Sequence, residues 1–193
     1  MNIAAFLSYV IITSVTPGPS NILMMNESRR FGFAGAWQFN SGILSGFAVL
    51  GMISGVFTAG LYSWIPVIEP YFKLAGAAYL LYLAWQVSLP KRAGKETAAV
   101  QSSFLSGFIF QVINVKSILF FLTVMSAFIL PYHQSVSSIG LYMTITICLG
   151  WLALLLWSAF GSILKDFLAK HDKGFRFVMG GLLVYCAVMV AAG

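Results

Sequence analysis

The chain alternates long apolar runs with short polar stretches. Ile3–Met25, Gly35–Leu61, Tyr71–Leu89, Ser103–Leu130, Ile139–Leu164 and Phe177–Ala192 are apolar almost throughout. A helix needs about 20 apolar residues to cross a bilayer, so the pattern predicts six transmembrane spans, the last one short. The connections between them are brief. Tyr62–Pro70 carries Trp64, Pro66 and Pro70, turn and aromatic chemistry suited to a membrane interface. Glu27, Arg29 and Arg30 read as a first charged loop, 90–102 as a polar third loop, and 165–176 as a charged fifth. The first run is interrupted by Thr16-Pro17-Gly18-Pro19-Ser20-Asn21. Each proline removes a backbone donor and crowds the preceding turn. Irregular backbone at membrane depth is tolerated only inside protein or beside a cavity.

Composition agrees with this reading. The chain is 60% hydrophobic and 8% charged, with mean hydropathy +0.90, whereas a soluble domain is about 25% charged. The expected fold class is therefore an all-α integral membrane protein of six transmembrane helices. It forms a single membrane domain over 1–193 that has the lipid bilayer as its surroundings. The start of the chain lacks the charged n-region and small-residue cleavage site of a signal peptide, so the first run is expected to be retained. The net charge of +6 does not point to nucleic acid, because the cations sit in loops.

Arg29, Arg30, Lys91, Arg92, Lys95, Lys165, Lys170, Lys173 and Arg176 all fall in loops one, three and five, and loops two and four hold no Lys or Arg. The positive-inside rule then places the odd loops in the cytoplasm and both termini on the periplasmic side. Lys73 follows Glu69 by four residues and reads as a neutralised interfacial pair near the outer end of span three, with a substrate site as the alternative.

Short segments recur in order. Phe6-Leu7-Ser8 returns as Phe104-Leu105-Ser106, Ile22-Leu23-Met24-Met25 as Ile118-Leu119-Phe120-Phe121, and Leu81-Tyr82-Leu83-Ala84 as Val184-Tyr185-Cys186-Ala187. This suggests a duplication, with one repeat over about 1–90, a cytoplasmic loop over about 90–102 and a second repeat over about 103–193. A three-span unit is odd-numbered, so its second copy is inverted. Two inverted three-helix repeats are an arrangement of secondary transporters that place substrate between the halves.

The same alignment sets the proline break opposite Asn114-Val115-Lys116-Ser117 in span four. Lys116 is the one cation placed well inside a span, where insertion costs at least about 2.5–3.5 kcal/mol. Either it faces a functional cavity, or it bonds carbonyls freed around Thr13–Val15 and locks two helices. A half-helix beginning at Ser20 and Asn21 would present unpaired donors beside it, an arrangement suited to a carboxylate. Freed carbonyls with Thr16, Gln111 and Asn114 would suit an ammonium. The candidate substrate-binding set is Thr16, Pro17, Gly18, Pro19, Asn21, Gln111, Asn114 and Lys116, fitting a zwitterion. The bland alternative is a simple proline kink.

Thr13, Ser14, Asn40, Ser41, Ser45, Thr123, Thr144 and Thr146 are expected to bond mainly between helices. Gly42-x-x-x-Gly46 and Gly51-x-x-x-Gly55 indicate close helix contact and leave a homodimer open. Tyr82 and Tyr185 could line the cavity, but core packing is the expected role; Cys148 and Cys186 are expected as buried structural thiols. His133 and His171 lie in loops and suggest no metal. No catalytic set, phosphate loop or cofactor motif stands out in the sequence. If protons drive the chemistry, Lys116 is the proton-coupling candidate, since no Asp or Glu is expected at mid-membrane.

The Thr-Pro-Gly-Pro segment with Asn21, together with Asn114 and Lys116, resembles the LysE/RhtB superfamily of bacterial amino-acid exporters over essentially the full length. In that family the span-four motif is Asn-Pro-Lys; here Val115 replaces the proline, so span four need not kink. Phe128-Ile129-Leu130-Pro131 and Leu183-Val184-Tyr185-Cys186-Ala187-Val188 are similar to its cysteine/O-acetylserine branch. The resemblance implies export of a small amino-acid substrate across the inner membrane, driven by proton motive force. Two rivals stand beside this reading. An intramembrane enzyme would need a nucleophile or acid near Lys116, and a non-catalytic scaffold gives no reason to hold a costly Lys.

Overall fold

The structure is a computed structural model describing residues 2–61, 103–133 and 135–164, with positions 74, 78, 81, 82, 84, 85, 167, 174, 177, 178, 180–182, 184, 185 and 188. Most of spans three and six, the 90–102 and 165–176 loops, the Glu69–Lys73 pair, His171 and Cys186 lie outside the described residues.

Helix α1, Ile3–Val15, is capped by Asn2, whose side chain accepts from the Ala5 amide at 3.1 Å. It stops at Thr16, where ψ of 131° is the extended conformation that a following proline imposes. Helix α2, Pro19–Gly35, starts with proline in its first turn, where the missing donor removes no intrahelical bond. The two are bent by 46°. Helix α3 is Trp37–Leu61. Helix α4, Phe104–Val112, is capped by Ser103, and α5, Val115–Thr123, by Asn114. Helix α5 runs on as a π-helical segment, Val124–Ile129. The α4–α5 pair is bent by 53°. Helix α6, Val136–Ile163, is capped by Ser135. Among the described residues α6 alone is long and apolar enough to cross a membrane, and each bent pair qualifies if counted as one span.

Two corrections concern backbone. The expected charged loop at Glu27–Arg30 is helical, and the chain breaks later, at Gly32, where φ is 74°. The helix continues because α2 lies directly on α6: a Cβ added at Gly161 would stand 2.1 Å from the Met25 carbonyl oxygen. That contact buries Met25, Glu27 and Ser28. Span four does kink despite Val115. The side chain of Asn114 accepts from the Lys116 amide at 3.1 Å and so starts a new helix without proline.

Helix α3 packs on α4 through glycines on both sides. A Cβ at Gly42 would meet the Phe104 carbonyl at 2.1 Å, and one at Gly107 the Phe39 carbonyl at 2.3 Å. The expected close-packing role of Gly42 and Gly46 is thus met inside the chain, while Gly55 has its nearest neighbour at 3.7 Å. The core beside the breaks is aromatic: Tyr9 stacks on Phe120 at 6.0 Å, and Phe47 meets Phe121 at 4.7 Å. Outward faces are apolar too, with Ile12, Leu152 and Phe160 exposed, as lipid rather than water requires.

Several side chains depart from expectation. Thr144 and Thr146 donate to Gly140 and Tyr142 carbonyls one turn back, and Ser41 to Gln38, because a short hydroxyl reaches its own helix more easily than a neighbour. Cys148 is exposed on α6. Tyr82 and Tyr185 are exposed rather than core residues.

Candidate functional site

The first break frees carbonyls that side chains from three helices then take up. Asn21 Nδ2, in α2, donates to the Ser14 carbonyl at 2.9 Å. Trp157 Nε1, in α6, donates to that of Val15 at 3.1 Å. Lys116 Nζ, in the first turn of α5, donates to that of Thr16 at 2.7 Å. The lysine therefore joins the two breaks. It sits at the C-terminal end of α1, where the aligned peptide dipoles favour a cation, one residue beyond the carbonyls expected from the sequence.

The second break faces the first through a buried amide–hydroxyl network. Ser20 Oγ donates to Gln111 Oε1. Asn114 Nδ2 donates to Ser20 Oγ at 2.6 Å and Gln111 Nε2 to Ser117 Oγ at 2.8 Å. Gln111 has no exposed surface, and Ser20, Asn114 and Ser117 are all buried. Buried polar groups carry a desolvation cost unless paired, so these bonds fix how the helix ends meet.

Beside them lies a cavity of about 30 Å³. Asn21, Gln111, Asn114 and Lys116 line its polar side, and Phe47, Phe120 and Leu154 its apolar side. Ser14 Oγ also lines it and is buried without a hydrogen-bond partner.

The sequence-predicted set is thus brought together, with distinct placements. Pro19, Asn21, Gln111, Asn114 and Lys116 reach the cavity. Thr16 contributes its carbonyl while its hydroxyl turns back to Ile12 O at 2.6 Å. Pro17 is half-buried and makes the break without lining the cavity. Gly18 is buried under the lysine: a Cβ there would lie 2.7 Å from Lys116 Cδ. Ser20 and Ser117 were missed as site residues, although a serine within the first turn after each break is visible in the sequence. Trp157 carried no sequence signal.

A second buried polar cluster ties α2, α3 and α6. Asn40 Nδ2 donates to Ser158 Oγ at 2.8 Å and Ser28 Oγ at 3.3 Å, and the two hydroxyls are 2.7 Å apart. Asn40 is the one residue of the expected inter-helix set that crosses helices with its side chain in this way.

The LysE type translocator family matches residues 11–193. A cysteine/O-acetylserine efflux protein of Escherichia coli O1:K1 / APEC is 31% identical over 194 residues, covering 97% of this chain and 96% of that protein. Proteins of the same name from Escherichia coli (strain K12) and Shigella sonnei (strain Ss046) are each 30% identical over 192 residues, with the same coverage. No solved structure matches the chain.

Proposed function

We propose, for a chain that belongs to the LysE type translocator family, that it is a secondary transporter exporting small amino acids or derivatives of the cysteine and O-acetylserine kind. Relatives alike over nearly their whole length are named for that cargo, and the family is one of translocators rather than enzymes. The observation that carries the reading is the junction of the two breaks, where Lys116 Nζ meets the Thr16 carbonyl at 2.7 Å. Helix ends and one cation converge there on a shared cavity. The first turn of α2, uncapped by any side chain at Gly18, offers amide donors for a carboxylate. Carbonyls at the end of α1, with the Gln111 and Asn114 amides, offer acceptors for an ammonium.

The cavity, about 30 Å³, is small beside the roughly 300–1,000 Å³ of ordinary ligand pockets. Binding of substrate then widens it, and the two breaks are where the backbone can bend. Bends of 46° and 53° in the first and fourth spans support our reading of alternating access by two inverted repeats, about 1–90 and 103–193. Both termini then face the periplasm of a bacterial inner membrane. Proton antiport, with Lys116 as the exchanging group, supplies the drive. The test is counterflow in proteoliposomes loaded with unlabelled amino acids, using a labelled panel that includes L-cysteine and L-serine. Accumulation of at least one panel member above protein-free vesicles is the expected result. Exchange of none overturns the reading.

A further inference from the structure

We propose that the ammonium of Lys116 occupies the slot which the amine of the transported zwitterion takes, so that substrate must displace it to bind. The inference rests on the amino-acid transport reading and adds a resident competitor to it.

Three observations converge. First, the lysine ammonium sits 2.7 Å from the Thr16 carbonyl, at the negative end of α1. A substrate ammonium carries the same charge and the same three donors, so the carbonyl that holds one suits the other. Second, the lysine stem lies across Gly18. A Cβ there would be 2.7 Å from Cδ and 2.9 Å from Nζ. Gly18 has φ of −143°, extended backbone open to any residue, so glycine is needed here for room and not for conformation. The neighbour it makes room for is the far end of a flexible side chain, which swings away without moving backbone. Third, Lys116 also lines the small cavity. Among the polar side chains there it is the longest, with the most rotatable bonds, and Gln111, Asn114 and Ser20 are held to one another.

Displacement has a consequence for the carboxylate. Once the substrate amine is on Thr16, the lysine ammonium is released beside the first turn of α2, where it faces the substrate's own anionic end. One positive charge thus serves two positions in turn: it fills the amine slot when substrate is absent and balances the carboxylate when substrate is present. A carboxylate without an amine cannot drive the exchange, and an amine without a carboxylate gains no counter-ion from it.

The test is equilibrium binding of labelled cysteamine, a bare amine, and 3-mercaptopropionate, a bare acid, to purified protein. Removing the competitor raises the fraction of protein with an open slot, and apparent affinity rises in proportion. Lys116→Met, which keeps the stem and drops the charge, is expected to bind cysteamine about tenfold tighter than wild type. It is expected to bind 3-mercaptopropionate about as the wild type does, since a bare acid leaves the lysine on Thr16. Gly18→Ala, which keeps the charge but crowds the stem, gives a second arm, with cysteamine binding again tighter. Equal cysteamine affinity in wild type and both variants overturns the displacement, even where the wild type exchanges amino acids in proteoliposomes. A wild type that exchanges no amino acid overturns the transport reading on which the displacement depends.

Discussion

Replacement of Lys116 by alanine is expected to abolish transport while leaving insertion intact. Removing an ammonium from the middle of a span lowers the insertion cost by about 2.5–3.5 kcal/mol, so the variant reaches the membrane at least as well as wild type. The loss falls on the site. A charge-assisted hydrogen bond contributes about 1.5–3 kcal/mol, which corresponds to roughly 10- to 150-fold in an equilibrium. Here that bond is the contact between Nζ and the Thr16 carbonyl, the link between two broken helices. Its removal also strips the cavity of its positive charge. Counterflow rates normalised to inserted protein check this. Wild-type exchange by the alanine variant sinks the assignment of Lys116 and returns it to a dispensable lock.

Asn114→Ala is expected to combine a stability loss with a transport loss. The Asn114 side chain accepts from the Lys116 amide at 3.1 Å and caps α5, and such caps are worth about 0.5–2 kcal/mol. Its amide also donates to Ser20 Oγ at 2.6 Å, and leaving buried polar groups short of partners costs about 1–3 kcal/mol. Together these lower the thermal midpoint in detergent by roughly 5–10 °C. Transport falls by at least about tenfold, because the first turn of α5 is what aims Lys116 at the other break. Asn114→Ser separates the two effects. Serine still caps a helix, so α5 keeps its start and much of the stability returns, while the amide donor to Ser20 stays missing. A serine variant as unstable as the alanine variant shows that the cap contributes little.

The first break was legible because proline states its consequence in the sequence: no donor and no continuous helix. The second was not, because the residue responsible is an asparagine, which breaks a helix only by capping a new one. Val115 in the place of a proline therefore concealed a bend of 53° that Asn114 makes by itself. The charged stretch at Glu27–Arg30 misled in the opposite direction. Charge reads as loop in an apolar chain, yet Gly161 lets α6 approach the α2 backbone so closely that the segment is held as helix. Gln111, Asn114 and Lys116 were legible as polar residues in an apolar run. Ser20 and Ser117 were hidden by being small and common, and Trp157 by distance along the chain. That Lys116 reaches Thr16 rather than the carbonyls of Thr13–Val15 depends on the angle between two helices, which no local pattern encodes.

The central claim is that both breaks belong to one substrate site. The most direct measurement places single cysteines at Ser20 and, separately, at Ser117, with Cys148 and Cys186 replaced by serine. Each variant is reacted with a small methanethiosulfonate reagent under rising O-acetyl-L-serine. One ligand spanning the two breaks protects both positions with the same half-saturating concentration, and that is the predicted result. Protection at one position alone, or at neither, contradicts the account.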